Sequence, residues 1–267
     1  MRTPMRVAAA QLRLHPRNSA KAVTEAEAQV RAAAAKGATL VCLPEHWLLS
    51  KVITEHDEVL QRFSDLAKEL GVYLNLGAIY ERRGNVTRLT SHTISSSGRV
   101  ISRQDKVHLY RRETKDAQPG SGFNLAEIEG VKVGVLVCHD AVFPETARIV
   151  TLMGAELLVV PSLITEEGSE PWLVYLKARA LENRVPIISP NDFYPPKVLG
   201  KSCVLDLKYD GKEHIMHLVE RTARSQSTTL VVELELRANS VPRRERLEEL
   251  LRSGAIGTLY SASKSPN

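Results

Sequence analysis

The sequence predicts an α/β fold, in which strands and helices alternate along the chain. Short, apolar, β-branched runs such as residues 131–137 are typical of buried strands. The Ala-rich stretch of residues 19–36 is typical of a helix, with Asn18 placed as its N-cap and Gly37 just beyond its end. The alternation is found in both halves of the chain, so we assign the α/β class to all of it.

The first half of the chain has two predicted helices and five predicted strands. Their order is strand, helix, strand, helix and three strands, at residues 6–11, 19–36, 39–43, 58–70, 72–80, 88–95 and 99–104. Gly71 ends the second, amphipathic helix. Turns that contain Gly84 and Gly98 separate the last three strands.

The second half begins with a predicted hairpin, residues 125–129 and 131–137, which turns at Gly130. A helix, a strand, a helix and a strand follow, at residues 144–153, 155–161, 172–184 and 186–189. We predict three more strands at residues 202–207, 213–218 and 229–236, then a charged helix at residues 243–252 and a polar tail.

Composition narrows the possible partners. The 267 residues contain no linker-like or low-complexity segment, so we expect one domain over residues 1–267. The net charge is +5, but the basic residues are scattered and aromatic residues make up only 5%, which argues against nucleic-acid binding. With no apolar signal region and no apolar run of membrane-spanning length, we expect a soluble, cytoplasmic protein without a membrane partner.

The cysteines and histidines do not predict a disulfide or a metal site. The three cysteines, Cys42, Cys138 and Cys203, are odd in number and have no paired spacing. The eight histidines also lack the spacing typical of metal ligands, so we expect no metal and no cofactor. Cys42 and Cys203 lie inside predicted apolar strands, where we expect unreactive core thiols.

Cys138 is the candidate nucleophile. It is predicted at the carboxyl end of the strand at residues 131–137, where ligands and chemistry gather in open α/β sheets. The helix that begins at Pro144 lies close by, and the field at a helix N-terminus favours a thiolate. The thiol still needs a base, and His139 is a poor one, because neighbouring residues on a strand point to opposite sides.

Two other strand ends carry suitable groups. Glu45 follows the strand at residues 39–43, and Lys106 follows the strand at residues 99–104. Brought to one sheet edge, Glu45 takes the thiol proton, whereas Lys106 stabilises an oxyanion and lowers the pKa of the thiol. Each residue taken alone has a simpler interpretation, as a core cysteine, a surface carboxylate or a solvated lysine.

Three segments resemble the signatures of the nitrilase superfamily (carbon-nitrogen hydrolases), and in particular its amidase-like branch. They are Leu-Pro-Glu at 43–45, Lys-Val-His-Leu-Tyr at 106–110, and Gly-Val-Leu-Val-Cys-His-Asp at 134–140 followed by Phe-Pro-Glu at 143–145. Their order and spacing fit, with 61 residues from Glu45 to Lys106 and 32 from Lys106 to Cys138. Segments at residues 172–183, 191, 200–202 and 206–211 are similar to later parts of that family.

The resemblance implies a four-layer αββα sandwich with a catalytic triad of Glu45, Lys106 and Cys138. It implies that Glu113 hydrogen-bonds the lysine or positions substrate, and that the backbone N–H of His139 is a second oxyanion donor. It also implies a homodimer or higher homo-oligomer that pairs through the helices at residues 145–152 and 172–183. His108 and Asp140 are expected to be structural hydrogen-bonding residues.

The sequence departs from the family pattern near the nucleophile. His139 stands where the family often has an aromatic residue, and Val142 stands where it often has arginine. The stretch at residues 46–57, which normally helps to wall the pocket, is shorter than usual. These departures concern the substrate more than the chemistry.

The function implied is hydrolysis of a small non-peptide amide, carbamoyl compound or nitrile through a cysteine acyl-enzyme, with release of ammonia. An acyl or amido transferase on the same scaffold is the first alternative, since an amine or alcohol can replace water. A catalytically silent binding protein is the second. The intact glutamate, lysine and cysteine argue against it, because a site out of use is free to lose any of them.

Overall fold

The computed structural model describes residues 4–252 and 254. The elements of the first half are β1 (Met5–Gln11), α1 (Ser19–Ala35), β2 (Leu40–Cys42), β3 (Ile53–Thr54), α2 (Glu58–Leu70), β4 (Tyr73–Asn75), β5 (Ile79–Arg83), β6 (Val86–Ile94), β7 (Val100–Asp105) and α3 (Glu113–Asp116). Those of the second half are β8 (Leu125–Ile128), β9 (Val131–Val135), α4 (Pro144–Leu152), β10 (Leu157–Val159), α5 (Ser169–Asn183), β11 (Ile187–Ser189), β12 (Phe193–Tyr194), β13 (Val198–Leu199), β14 (Cys203–Asp210), β15 (Ile215–Thr222), β16 (Thr228–Leu234) and α6 (Ser240–Arg252).

Local signals account for the ends of the two long helices of the first half. The Asn18 side chain accepts a hydrogen bond from the Lys21 N–H at 2.9 Å and caps α1. Asp57 caps α2 in the same way through the Val59 N–H, also at 2.9 Å. Gly71 ends α2 with a φ of 66°, a left-handed conformation that glycine adopts without steric cost.

Most strands belong to two sheets. The first has the order β16-β1-β2-β4-β6-β5-β3, with β7 paired to β6, and the second has the order β15-β14-β11-β10-β9-β8. Strands β1, β2 and β4 are parallel, as are β9, β10 and β11. Strand β7 runs in the same direction as β4, because both are antiparallel to β6. The segments that follow β2 and β7 therefore lie at the same end of the first sheet. The segment that follows β9 lies at the carboxyl end of the parallel strands of the second sheet.

Three apolar layers hold the sheets and helices together. In the first, Ala26 and Phe63 of α1 and α2 pack on one face of the first sheet. In the second, side chains such as Val7 and Val133 meet between the two sheets. The third lies between the second sheet and α4 and α5, and includes Leu176. The order of layers is therefore helix, sheet, sheet, helix, which is the predicted αββα sandwich.

Several predictions about the elements need correction. The predicted strand at residues 72–80 is two strands, β4 and β5, because the chain leaves the first sheet at residues 76–78. Strand β9 ends at Val135, and Cys138 begins a short 3-10 helix, Cys138–Val142. Helices α5 and α6 each begin three residues before their predicted starts. The short elements β3, β12, β13 and α3 were not predicted.

The end of the chain is described only in part. The predicted polar tail lies outside the described residues, apart from Gly254. Among the described residues, no helix is both long enough and apolar enough to cross a membrane.

Candidate active site

Glu45 is held between the two sheets just after β2. Its backbone pairs with Ala78 as a parallel bridge, and its N–H reaches the carbonyl oxygen of Ser162, in the chain after β10, at 3.4 Å. Only 2% of Glu45 is exposed. A carboxylate so far from water needs a charged or hydrogen-bonding partner.

Lys106 is that partner. Its backbone N–H donates to the carbonyl oxygen of Leu89 at 2.8 Å, which fixes the residue at the end of β7. Its Nζ lies 2.7 Å from Oε1 of Glu45 and 2.8 Å from Oε1 of Glu113. Burial disfavours the ammonium, but the negative charges of Glu45 and Glu113 and the hydrogen bond to Glu113 outweigh it and raise the pKa of Lys106 above its usual value. The structure thus joins three of the predicted site residues through one buried ammonium.

Cys138 faces this cluster from the second sheet. It has a φ of 45°, and its N–H donates to the carbonyl oxygen of Pro161 at 2.9 Å, so that the chain turns sharply at the nucleophile position. Burial raises the pKa of the thiol well above its usual value, and the charge of Glu45 raises it further. The charge of Lys106 and the backbone of Leu163 lower it by less. The two larger effects favour the neutral thiol, whereas the field at a helix N-terminus was expected to favour the thiolate.

Asp140 ties the Cys138 turn to the segment after Lys106. Its Oδ1 accepts hydrogen bonds from the N–H of His108 at 2.8 Å and faces Nδ1 of the same residue at 2.9 Å. Its Oδ2 accepts from the Val137 N–H at 3.1 Å and the Val107 N–H at 3.4 Å. The carboxylate is fully buried, and every one of these donors lies within two residues of Lys106 or Cys138. His108 and Asp140 are therefore structural hydrogen-bonding residues, as predicted.

Comparison with known proteins agrees with this geometry. The model of the carbon-nitrogen hydrolase family matches residues 6–229. The chain belongs to the carbon-nitrogen hydrolase family. The predicted resemblance to the nitrilase superfamily is thereby confirmed.

Curated relatives of this carbon-nitrogen hydrolase include ω-amidases. It is 30% identical to Omega-amidase NIT2 of Homo sapiens over 201 residues, which cover 68% of this chain and 72% of that protein. It is 32% identical to Omega-amidase NIT2 of Xenopus tropicalis over 174 residues, or 58% of this chain. This second match spans 63% of the length of the Xenopus tropicalis protein.

Solved structures share the fold at lower identity. Saccharomyces cerevisiae Nit3, a member of branch 10 of the nitrilase superfamily, superposes with a TM-score of 0.77 and 22% identity, covering 91% of this chain and 94% of Nit3. A mutant of the amidase from Nesterenkonia sp. AN1 superposes with a TM-score of 0.73 and 23% identity, covering 92% and 95% of the two chains. That amidase carries the acetamide moiety of fluoroacetamide on its active site cysteine. These similarities confirm the αββα sandwich of this carbon-nitrogen hydrolase.

His139 has a ring packed against two aromatic side chains and a backbone N–H without a partner among the described residues. Its N–H has no hydrogen-bond partner within residues 4–252, so it is free to bind an oxygen atom. Its ring lies 4.9 Å from the ring of Tyr110 and 5.3 Å from that of Phe143. Burial and the charge of Lys106 lower the pKa of the His139 imidazole, which favours its neutral form. Its role as an oxyanion donor stays a prediction.

Two buried residues near Glu45 were missed by sequence reasoning. His46 places its Nε2 3.0 Å from Oε1 of Glu113 and 4.0 Å from Oε1 of Glu45. Asp192 is fully buried, and both of its carboxylate oxygens lack a hydrogen-bond partner among the described residues. Burial raises the pKa of Asp192 well above its usual value, and the charge of Glu45 raises it further. No spacing pattern marks either residue, because His46 lies 67 residues from Glu113 and Asp192 lies far along the chain from Glu45.

The same cluster resembles a set of metal ligands. Ligand atoms of Glu45, His46 and Glu113 all lie within 4.8 Å of one another. The ammonium of Lys106 contacts both carboxylates, so the chain itself supplies the positive charge that these carboxylates require.

Proposed function

We propose that this hydrolase cleaves a small non-peptide amide, carbamoyl compound or nitrile through a thioester on Cys138 and releases ammonia. The observation that carries the proposal is the buried ammonium of Lys106, held at 2.7 Å by Glu45 and at 2.8 Å by Glu113 beside a buried thiol. Acyl transfer needs a nucleophile, a base and a hydrogen-bond donor for the oxyanion. Cys138, Glu45 and Lys106 supply these in turn.

In the first half-reaction on an amide, Glu45 takes the proton of the Cys138 thiol while the sulfur attacks the carbonyl carbon. The raised pKa of the thiol supports this role, because a neutral thiol needs a base at the moment of attack. Lys106 and the His139 N–H stabilise the oxyanion. Glu45 then gives its proton to the leaving nitrogen, the C–N bond breaks, ammonia departs, and a thioester remains on Cys138.

In the second half-reaction, Glu45 takes a proton from water, and the resulting hydroxide attacks the thioester carbon. The same two donors hold the second oxyanion. The C–S bond then breaks, the acid leaves, and Glu45 returns its proton to the thiolate. Each proton that Glu45 accepts is returned, so the site is regenerated without a cofactor.

The comparisons support the reaction class more than the substrate. The Nesterenkonia amidase with a covalent adduct on its cysteine supports a cysteine acyl-enzyme, and the ω-amidase relatives support an amide substrate. In this chain the backbone carbonyls of Ala141 and Val142 accept hydrogen bonds from the Arg179 guanidinium at 2.9 and 2.6 Å. This buried arginine fixes the turn after the nucleophile position, where Val142 leaves no charged side chain.

The test is a screen of small amides, ureido acids and nitriles for ammonia release, with the Cys138→Ala protein as the blank. Cys203→Ala is the matched control, since Cys203 is also buried but lies in the apolar layer between α5 and the second sheet. We expect release from wild type and from Cys203→Ala, and none from Cys138→Ala. Equal release from wild type and Cys138→Ala contradicts the proposal. Release that requires an added amine or alcohol favours the transferase alternative.

We also propose that the protein is cytoplasmic and forms a homodimer or higher homo-oligomer that pairs through α4 and α5. Three large apolar side chains of α5 are exposed, Val174 at 60%, Tyr175 at 39% and Leu181 at 40%. Exposed apolar side chains on one helix support an interface at this surface. Sedimentation of wild type and of Val174→Glu tests it, and we expect the variant to shift toward monomer. An unchanged sedimentation coefficient argues against this interface.

A further inference from the structure

His46 turns back into the candidate active site immediately after Glu45. Its φ is 61°, a left-handed conformation that is uncommon outside glycine, and its N–H donates to the carbonyl oxygen of Ala78 at 2.8 Å. Only 8% of the residue is exposed. Its ring packs against the ring of Tyr80, with centroids 5.4 Å apart. The backbone conformation and the ring contact together aim Nε2 at Glu113.

Glu113 receives hydrogen bonds from three directions. Its Oε1 faces Nε2 of His46 at 3.0 Å and Nζ of Lys106 at 2.8 Å, and its Oε2 accepts from the Tyr110 N–H at 2.6 Å. Burial alone would raise the pKa of Glu113, but the hydrogen bond from His46 and the charge of Lys106 lower it to about 2. The hydrogen bond from His46 is thus among the contacts that keep the Glu113 carboxylate ionised. An ionised Glu113 only accepts, so the proton of this contact lies on Nε2 of His46.

We infer that His46 is a positioning residue, whose Nε2–H holds the Glu113 carboxylate on Lys106 and so keeps the ammonium of Lys106 beside Glu45 and Cys138. The inference rests on the proposed function, because it assigns His46 to the same reaction. Without that donor, Glu113 keeps only Lys106 and the Tyr110 N–H, and it binds a proton more readily. A protonated Glu113 no longer attracts the ammonium, and Lys106 then has one anionic anchor instead of two.

The titratable groups that face His46 come from four elements. Glu45 follows β2, Lys106 follows β7, Glu113 begins α3, and Tyr80 lies in β5. Burial and the charge of Glu113 raise the pKa of Tyr80 to about 12, so this phenol stays neutral. Nδ1 of His46 is buried and has no hydrogen-bond partner among the described residues. Among the described residues, the ring nitrogens of His46 therefore hydrogen-bond through Nε2 alone.

The test compares His46→Leu, which removes the donor, with His46→Gln, whose side-chain amide replaces it. His56→Leu is the matched control, because His56 is an exposed histidine in the same stretch after Glu45. We expect His46→Leu to lower kcat by about tenfold or more, as loss of a hydrogen bond to a charged group does, with a smaller change in KM. The acid limb of the pH profile of kcat/KM moves to higher pH, because Glu113 becomes easier to protonate. His46→Gln recovers most of kcat and of the acid limb, and His56→Leu matches wild type.

Two further measurements separate this inference from the proposed function. The rate of Cys138 alkylation by iodoacetamide, followed against pH, reports on the cluster even if no substrate is turned over. We expect the pH profile of alkylation in His46→Leu to differ from that of wild type. The double variant His46→Leu/Glu113→Gln should have the same profile as Glu113→Gln alone. If His46→Leu does not fold by circular dichroism, His46→Asn, whose shorter amide does not reach Glu113, takes its place.

Three results overturn the inference. The first is a wild-type pH profile in His46→Leu. The second is an equal loss of kcat in His46→Leu and His46→Gln. The third is an effect of His46→Leu on the alkylation profile that is as large in the Glu113→Gln protein as in wild type. Absence of ammonia release from wild type, with the alkylation profile changed as expected, overturns the proposed function and leaves the role of His46 standing.

Discussion

Gly77 passes so close to Pro44 that a Cβ built on it would lie 1.8 Å from the Pro44 carbonyl oxygen. No side chain fits in this space, and the φ of Gly77 is 65°. The Asn75 side chain accepts a hydrogen bond from the Gly77 N–H at 3.1 Å and helps to fix the bend. The bend between β4 and β5 thus presses directly on the residue that precedes Glu45.

We therefore expect Gly77→Ala to displace Pro44 and Glu45 and to abolish ammonia release. Gly84→Ala is the control, because Gly84 has a similar φ of 58° but no atom within 4 Å of a Cβ. The control should keep its activity and lose only roughly 1–2 kcal/mol of unfolding free energy, because alanine is strained in a left-handed conformation. Ammonia assays and thermal melts of both proteins measure this. Similar activity in the two variants would mean that Pro44 can move aside without displacing Glu45.

Lys106→Met should both slow the chemistry and lower the reactivity of the thiol. Loss of an oxyanion donor of this kind costs roughly 100-fold or more in kcat. The pKa of Cys138 should rise further, because the charge of Lys106 is among the groups that lower it. Alkylation by iodoacetamide at neutral pH should therefore be slower than in wild type.

Lys51→Met is the matched control for this variant. Lys51 is a more exposed lysine that also pairs with two carboxylates, Asp57 and Glu58. Circular dichroism checks that Lys106→Met folds, since two buried carboxylates lose their cation. Wild-type alkylation kinetics in a folded Lys106→Met protein would show that Lys106 does not tune the thiol.

Asp140→Asn should loosen the connection between the two sheets at the site. The two oxygens of Asp140 face four donor groups, from residues 107, 108 and 137, so an amide NH2 would face donors instead of accepting from them. We expect a loss of about 1–3 kcal/mol in unfolding free energy and a clear drop in kcat. Asp210→Asn, at an exposed turn, should change neither. Chemical denaturation and ammonia assays provide both numbers, and unchanged values for Asp140→Asn would contradict the bracing role.

Glu113 should make stability depend on acid pH. Its pKa is lowered in the fold from 4.5 to about 2, so its ionised form stabilises the fold above about pH 4.5, and this contribution is lost as the pH falls toward 2. A shift of this size corresponds to about 3 kcal/mol. The difference in unfolding free energy between wild type and Glu113→Gln should be constant above pH 5 and shrink below it. Glu127→Gln, on an exposed position of β8, is the control. A difference that does not change between pH 5 and pH 3 would contradict the assignment.

The success of the sequence predictions follows how local each signal is. The bounds of α2 were predicted at both ends, because its apolar period and its terminal Gly71 lie within a few residues of each other. The prediction of one unbroken strand at residues 72–80 was wrong for the opposite reason. Residues 72–80 form one apolar run in the sequence, and only the approach of Pro44 forces the chain to bend at Gly77.

The candidate site divides in the same way. The residue types of Glu45, Lys106 and Cys138 and their positions just after predicted strands are readable along the chain. The expectation of one shared sheet edge was wrong, because Glu45 and Lys106 follow strands of the first sheet and Cys138 follows a strand of the second. The contacts of His46 and Asp140 are not readable in this way. Hydrogen bonds such as that between His46 and Glu113, which are 67 residues apart, depend on angles and burial that arise only when the two sheets pack. Local chemistry thus selected the reactive groups, whereas the packing of the layers decided which of them touch and which thiol and carboxylate pKa values are shifted.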